Sequence, residues 1–352
     1  MSERIRIAIA GVGNCASVLI QGLQYYGKDD TLPGLWHRVV GGFRVSDIEI
    51  VEAFDIDSNK VGLDLTEAIF MPPNNVAKYV NLKSFGVKVR EGILLDRLSP
   101  YLKQAINLSN NEVSIEDIAK ILIEGKVDIF VNLISSGMDK SSYAYAKAAL
   151  QAKCSFINCT PSPIISNEEL VKGFEDSKLV LIGDDLMSQF GGTVFHKGIL
   201  SFMHKRGVKV LKSYQLDVGG GLETLNTIDE EIKANKRILK TNAIISEIPY
   251  EFESVAGTTD YVDYLGNNRV SYFWIEGEGF LGSPIKIDIY LKTRDGPNAG
   301  NILLDVIRAV QFARRNGYYG LVNEICNYGF KRSPKIMNLD ESYQRFKEIY
   351  LR

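Results

Sequence analysis

Apolar positions along this chain follow two rhythms that trade places. One has a period of two or runs unbroken, the mark of strands; the other has a period near 3.6, the mark of helices. Ile5, Ile7 and Ile9 alternate with Arg6 and Ala8, then pass into small apolar residues, as in a strand buried on both faces. Val18, Leu19, Leu23 and Tyr26 fall at helical spacing. A second strand is predicted at Ile48 to Phe54 and a helix at Ser58 to Phe70. Past the breaker Met71-Pro72-Pro73-Asn74-Asn75 comes a short strand at Val87 to Val89, and a loop-rich passage runs to Asn111. Ser114, with Asp117 in capping-box register, starts a helix through Glu124. Val127 to Ile134 is a nearly continuous apolar strand, and an Ala- and Tyr-rich helix follows to Ala152. A strand at Ser155 to Asn158, a helix capped by Asn167 and a strand at Leu179 to Ile182 complete the run. Such alternation predicts an α/β fold around a doubly wound, mostly parallel sheet.

The rhythm changes beyond Asp185. A helix from Thr193 to Arg206 leads into an alternating strand, Val208 to Val218, and then Gly219-Gly220-Gly221. Glu230 to Ile245 is a charged helical passage. Val270 to Gly277 and Ile285 to Lys292 read as antiparallel strands, and Asn298 to Arg315 as a long amphipathic helix stopped by Asn316-Gly317. An α+β sheet domain is therefore expected at 192–296, inserted into a nucleotide-binding domain made of 1–191 and 297–352.

With 352 residues, 45% of them hydrophobic, the chain can bury a core of that size. A formal charge of −2 offers no general attraction to nucleic acid, and no apolar stretch reaches the length of a membrane span or a signal peptide. Cys15, Cys154, Cys159 and Cys326 are scattered, which fits a reduced, cytoplasmic protein without a cysteine zinc site. His37, His196 and His204 form no cluster. Any enzymatic chemistry must then fall to lysine and carboxylate.

Gly11 and Gly13, between the first strand and the first helix, make that unit Rossmann-like. Gly11 permits the tight turn, Gly13 lets backbone approach a pyrophosphate, and Ala16 takes the third position of G-x-G-x-x-G/A. The residues Gly11, Val12, Gly13, Asn14 and Cys15 would then meet the phosphates at the helix N-terminus. Asp55, closing the second strand, is placed to accept ribose hydroxyls and repel a 2′-phosphate, favouring NAD over NADP. Its distance from Gly11 requires an insertion, placed at Tyr25 to Ser46. Ser135, Thr160 and Asp184 also lie at strand carboxyl ends, where such sheets bind ligands.

Lys236 and Lys240, in NKRILKT, share a helix face. They are either a solvated basic face or a coupled pair whose mutual repulsion depresses their pKa values. Gly183-Asp184-Asp185, followed by Ser188-Gln189, is either a helix cap or a set of carboxylates beside a nicotinamide with a phosphate-binding helix start. Lys331, in YGFKRSP, and Asp295, in TRDGPN, stand alone.

These pieces together resemble one family, myo-inositol-1-phosphate synthase in its short prokaryotic form, over essentially the whole chain. The likeness rests on AGVGNCAS, QYYGKDD with PGL, AFDIDSNKVGLDL, IGDDLMSQFGGT, DVGGGLETLN, NKRILKT, DGPNAGN with ILLDVIRA, and FKRSP. It implies conversion of glucose 6-phosphate to inositol 1-phosphate for inositol and phospholipid biosynthesis, without net redox change. In that family NAD oxidises C5, a proton leaves C6, C6 attacks the C1 aldehyde, and C5 is reduced again. The resemblance implies Lys236 and Lys331 near the reacting oxygens. Lys240 falls toward the phosphate with Ser188 and Gln189, and Asp185 and Asp295 near nicotinamide and the lysines. It also implies a homotetramer assembled through the inserted sheet. Asp184, Asp185 and Asp295 are candidates for a divalent metal ion, which some relatives need, although no ligand spacing marks one. The chain departs from the family at three positions. Arg269, in NNRVSY, stands at a lysine position and keeps a phosphate clamp without proton transfer. Met187 replaces a lysine and Gly221 an asparagine. Two other readings remain: an NAD-dependent sugar-phosphate oxidoreductase that releases NADH, and a non-catalytic NAD-sensing Rossmann protein.

Overall fold

The computed structural model describes residues 4–109 and 112–351, so the end of the predicted loop, Asn110-Asn111, lies outside the described residues. Ile5–Ala10 (β1) runs through the glycine turn into Asn14–Tyr26 (α1). A small hairpin, Val39–Val40 (β2) with Phe43–Arg44 (β3), precedes Ile48–Asp55 (β4). The predicted helix at 58–70 shrinks to Leu65–Ala68 (α2). Asp57 accepts the Asn59 N–H at 3.1 Å, Asp64 accepts the Thr66 N–H at 2.9 Å, and Gly62 sits at φ +88°. Local side-chain caps and a left-handed turn therefore win over the apolar period.

Next come Val89–Glu91 (β5), Pro100–Ala105 (α3) and Ile115–Glu124 (α4). The capping box of α4 closes in both directions between Ser114 and Asp117. Ile129–Asn132 (β6), Asp139–Gln151 (α5), Ser155–Asn158 (β7), Glu168–Asp176 (α6) and Val180–Ile182 (β8) follow the predicted order. The second sheet is built by Gly192–Lys205 (α7), Lys209–Gly219 (β9), Leu222–Asn226 (α8), Glu230–Ile245 (α9), Glu253–Tyr261 (β10), Asn268–Glu278 (β11) and Pro284–Arg294 (β12). Asp295–Arg315 (α10), Gly320–Leu321 (β13), Asn323–Gly329 (α11) and Leu339–Tyr350 (α12) end the chain.

Seven strands form one parallel sheet in the order β13-β8-β7-β6-β1-β4-β5. From β1 the chain winds first toward β4 and β5, then crosses to β6. The crevice beside β1 is thus the topological switch point where such sheets bind ligands. Apolar residues cover both faces: Ile7, Ile9, Val131 and Ile157 on one side, Phe54, Phe130 and Phe156 on the other. The smaller sheet, β10-β9-β11-β12, is mixed rather than purely antiparallel. β11 pairs antiparallel with β12 as expected and also with β9, while β10, unforeseen in the sequence, lies parallel to β9.

The insertion after α1 clamps α10. Arg308, fully buried and paired to Asp305 at 2.6 Å, donates to the carbonyls of His37 and Arg38, while His37 Nδ1 meets Asp305 at 2.7 Å. All four cysteines are unpaired, and no helix among the described residues is long and apolar enough to cross a membrane.

Candidate active site

The glycine turn works by close approach. Gly11 stands at φ +91°, and a Cβ there would lie 2.7 Å from the Leu133 carbonyl oxygen. Its N–H donates to Phe54 O at 2.8 Å, which ties the turn to β4. Gly13 caps α1 and has nothing within 4 Å of a Cβ, so backbone faces open space there. The first turn of α1 carries no side-chain cap and no acidic residue, which leaves its N–H groups for an anion.

Asp55 sits beside this turn, already engaged. Its Oδ2 accepts the Val12 N–H at 2.7 Å and its Oδ1 the Asp57 N–H at 2.9 Å. Lys60, 3% exposed, reaches within 3.8 Å of Asp55 and donates to Val12 O (3.1 Å) and Asn74 Oδ1 (3.2 Å). A carboxylate oxygen has two lone pairs, so Asp55 braces the turn and keeps accepting capacity for a ribose. The Asn14 side chain is tied to Asn75, whose amide also reaches Gly220 O at 3.1 Å.

The strand-end residues divide. Ser135, Thr160, Cys15 and Asp185 reach the wall of one cavity that also holds Gly11, Gly13 and Asp55. Asp184 does not. It is fully buried, accepts from Asn158 at 2.7 Å and pairs with Arg332 at 3.0 Å, and burial pushes its carboxyl up to about 7. The split arises beyond the end of β8, where the backbone is no longer extended and Asp185 stands at φ +61°. Asp184 is thus a packing carboxylate, not a cofactor ligand. Val12 and Gln189 also stay off the wall; Gln189 is held by its N–H to Asn298 O at 2.9 Å, while Ser188 lines the cavity. Cys15 keeps its proton: burial, with Asp295 and Glu223 nearby, pushes the thiol up to about 12.

Across the cavity, α9 delivers both lysines from one face, as their spacing predicts. They do not form a mutually depressing pair, because each meets its own carboxylate. Lys236 pairs with Glu223 at 2.6 Å and Lys240 with Asp217 at 2.5 Å. Burial works against the Lys236 ammonium, but Glu223 and Asp185 outweigh it and raise its pKa. For Lys240, burial together with Arg269 and Lys331 outweighs Asp217, so its pKa falls. Lys331 pairs with Asp185 at 2.8 Å and Arg269 with Asp295 at 2.6 Å. With Lys60 and Asp55, five cations and five carboxylates line the cavity as five pairs. Two polar atoms in this wall, Asp185 Oδ2 and Arg269 Nε, are buried without a partner, as expected where a ligand completes the bonding.

The start of α7 faces the same space through Gly191, Gly192 and Thr193, again without a side-chain cap. Gly221 lines the cavity, and a Cβ there would meet only Asn14 Nδ2, at 3.5 Å. Met187 is 4% exposed and packs away from the cavity, so its replacement of a lysine takes no charge from the wall. The proposed metal carboxylates do not converge: Asp184 faces Arg332, Asp185 faces Lys331 and Asp295 faces Arg269. Among the described residues no group of three or more His, Cys, Asp or Glu is arranged to hold a metal ion.

Residues 191–296 match the family described as myo-inositol-1-phosphate synthase. The chain is 36% identical to the inositol-3-phosphate synthase of Corynebacterium glutamicum, over 99% of both chains. It is 35% identical to that of Mycobacterium tuberculosis, over 99% of this chain and 96% of the other. Among solved structures, the crystal structure of Ari2 superposes with a TM-score of 0.78 at 32% identity, over 99% of both chains.

Proposed function

Because the chain belongs to the myo-inositol-1-phosphate synthase family, we propose that it converts D-glucose 6-phosphate to 1L-myo-inositol 1-phosphate on a resident NAD. The observation that carries this reading is one cavity with an uncapped glycine-turn helix on one side and Lys236, Lys240, Arg269 and Lys331 on the other. The residues fit NAD. Backbone at Gly13, Asn14 and Cys15 would hold its pyrophosphate, Asp55 its ribose, and Ser135, Thr160 and Asp185 the nicotinamide end. When bound, NAD takes a hydride from C5 of the sugar and later returns it.

This chain's own residues do the rest. The C6 proton passes to the substrate's own phosphate and leaves an enolate oxygen, and ring closure leaves an alkoxide at C1 that takes a proton back. Lys236 and Lys331, held by Glu223 and Asp185, stabilise these charges as they develop. Lys240 and Arg269 bind the phosphate with Ser188 and the open start of α7. In this reading 1–191 with 297–352 carry the nucleotide, and 192–296 brings Lys236, Lys240 and Arg269 to the sugar phosphate. The protein works in the cytoplasm as a homotetramer. The outer face of the smaller sheet supports that assembly, since Leu216, Val255 and Tyr290 are exposed on it beside the stacked Tyr214–Trp274 pair.

The test is incubation with glucose 6-phosphate and NAD, products read by NMR and NADH by absorbance. An inositol phosphate should form with no NADH accumulating. One NADH released per sugar consumed would identify an ordinary oxidoreductase. Tight NAD binding without turnover of any hexose phosphate would identify a sensor.

A further inference from the structure

Asp217 has no task in the chemistry above, yet it is the hub of the polar half of the cavity. Its side chain is 1% exposed. One oxygen, Oδ2, takes the Lys240 ammonium at 2.5 Å and lies 3.7 Å from the Arg269 guanidinium. The other, Oδ1, accepts from Ser271 Oγ at 2.6 Å, and Gln215 Nε2 donates to both, at 2.9 and 3.0 Å. The sheet builds this hub: Ser271 on β11 is the register partner of Asp217 on β9, and Gln215 lies on the same face of β9. Gly192 makes room for it, since a Cβ there would come within 2.3 Å of Gln215 Nε2. Behind Gln215, buried His196 meets its Oε1 through Nδ1 at 3.3 Å. Burial holds that imidazole neutral, with its pKa down at about 4.

We propose that Asp217 is a positioning residue: it fixes Lys240 and Arg269 to receive the anionic end of the substrate and keeps Lys240 charged, without itself touching substrate. The proposal rests on the sugar-phosphate reading and deepens it. Asp217 has its acceptor capacity committed to four side chains and offers no free base. Burial would raise its carboxyl, but Lys240 and Arg269 outweigh burial and hold it well below the usual carboxylate range. It is a permanent anion whose effect is on its cations. Lys240 is faced by Asp217 from β9, by Arg269 from β11, and by Lys331 and Asp185 from the nucleotide side. Remove the charge of Asp217, and burial beside Arg269 and Lys331 weighs against the Lys240 ammonium with its nearest counter-charge gone.

The test is calorimetric titration with inorganic phosphate, wild type against Asp217→Asn, from pH 6.5 to 8.5. The ratio of the two Kd values cancels the anion's own titration. It is expected at about tenfold at the acid end, growing to about a hundredfold at the basic end, with NAD affinity unchanged. Adding Lys240→Arg to Asp217→Asn should flatten that growth, because guanidinium does not lose its proton. A ratio near one at every pH overturns the proposal. Should Asp217→Asn not fold, Ser271→Ala decides: it loosens Asp217 but keeps its charge. Severalfold weaker phosphate binding supports the role, and no change overturns it. Wild type that binds phosphate yet forms no inositol phosphate sinks the function alone. Wild type that binds no phosphate sinks both.

Discussion

Replacing Lys236 by alanine is expected to lower kcat about a hundredfold or more, the scale of losing one oxyanion donor, while NAD affinity stays within about twofold of wild type. Lys236 is held in the cavity by Glu223, and the same carboxylate takes the Ser136 N–H at 3.3 Å. Its ammonium is therefore anchored before substrate arrives, so its stabilisation costs no reorganisation at the moment of reaction. The enolate and alkoxide charges exist only near the transition state, so the loss should fall on kcat rather than on KM. Lys240→Ala should show the opposite split, a raised KM with smaller change in kcat, because phosphate carries its charge throughout. Steady-state kinetics on both variants, with a separate NAD titration, read the two effects. Near-normal turnover in both would mean that the lysine face of the cavity is not where the sugar reacts.

Gly11→Ala is expected to cost NAD affinity about a hundredfold or more and to lower the melting temperature as well. The new Cβ would lie within 2.8 Å of Leu133 O and Ile134 N, which are backbone atoms at the end of β6 and cannot swing aside. At φ +91° the alanine is strained besides. The turn must then shift, and the start of α1 shifts with it. Gly13→Ala supplies the contrast. Nothing in the protein meets its Cβ, so the unliganded fold should melt as wild type does while NAD binding weakens, because that Cβ enters the space a pyrophosphate needs. Calorimetric NAD titration and thermal unfolding separate the two cases. Unchanged NAD affinity in Gly11→Ala would remove the dinucleotide from this turn.

The parts of this molecule legible in its sequence are those where a period or a backbone need leaves a residue-level trace. Strands buried on both faces show as apolar runs, Gly11 marks a left-handed turn, and the spacing of Lys236 and Lys240 puts both in one cavity. The counter-charges left no such trace. Asp217 is one polar residue in an ordinary strand alternation, and only pairing with β11 brings Ser271 and Arg269 to it. Lys60 reads as surface in Ser58-Asn59-Lys60, yet it turns inward because Val12 O and Asn74 wait for it. β10 depends on a parallel partner reached across α8 and α9, which nothing in its own composition announces. Asp184 and Asp185 look alike in sequence, and only the turn after β8, with Asp185 at φ +61°, sends one inward to Arg332 and the other to the cavity wall.

The match of five cations to five carboxylates in one wall also has a kinetic consequence. A cavity whose charges cancel in place projects little field beyond its mouth, so an anionic sugar is not drawn in from a distance. Encounter then proceeds by unsteered diffusion and responds weakly to ionic strength. Selectivity for the anion arises only after entry, through exchange of partners. Asp295, with 42% of its side chain in reach of solvent, is the carboxylate placed to yield Arg269 to an incoming anion, while Glu223 stays bonded to Lys236 and Ser136. Asp217 and Asp185, at 1% and 10%, stay where they are. Discrimination among phosphorylated sugars is thereby transferred from capture to residence time: a ligand that cannot replace the departing carboxylate leaves as freely as it came.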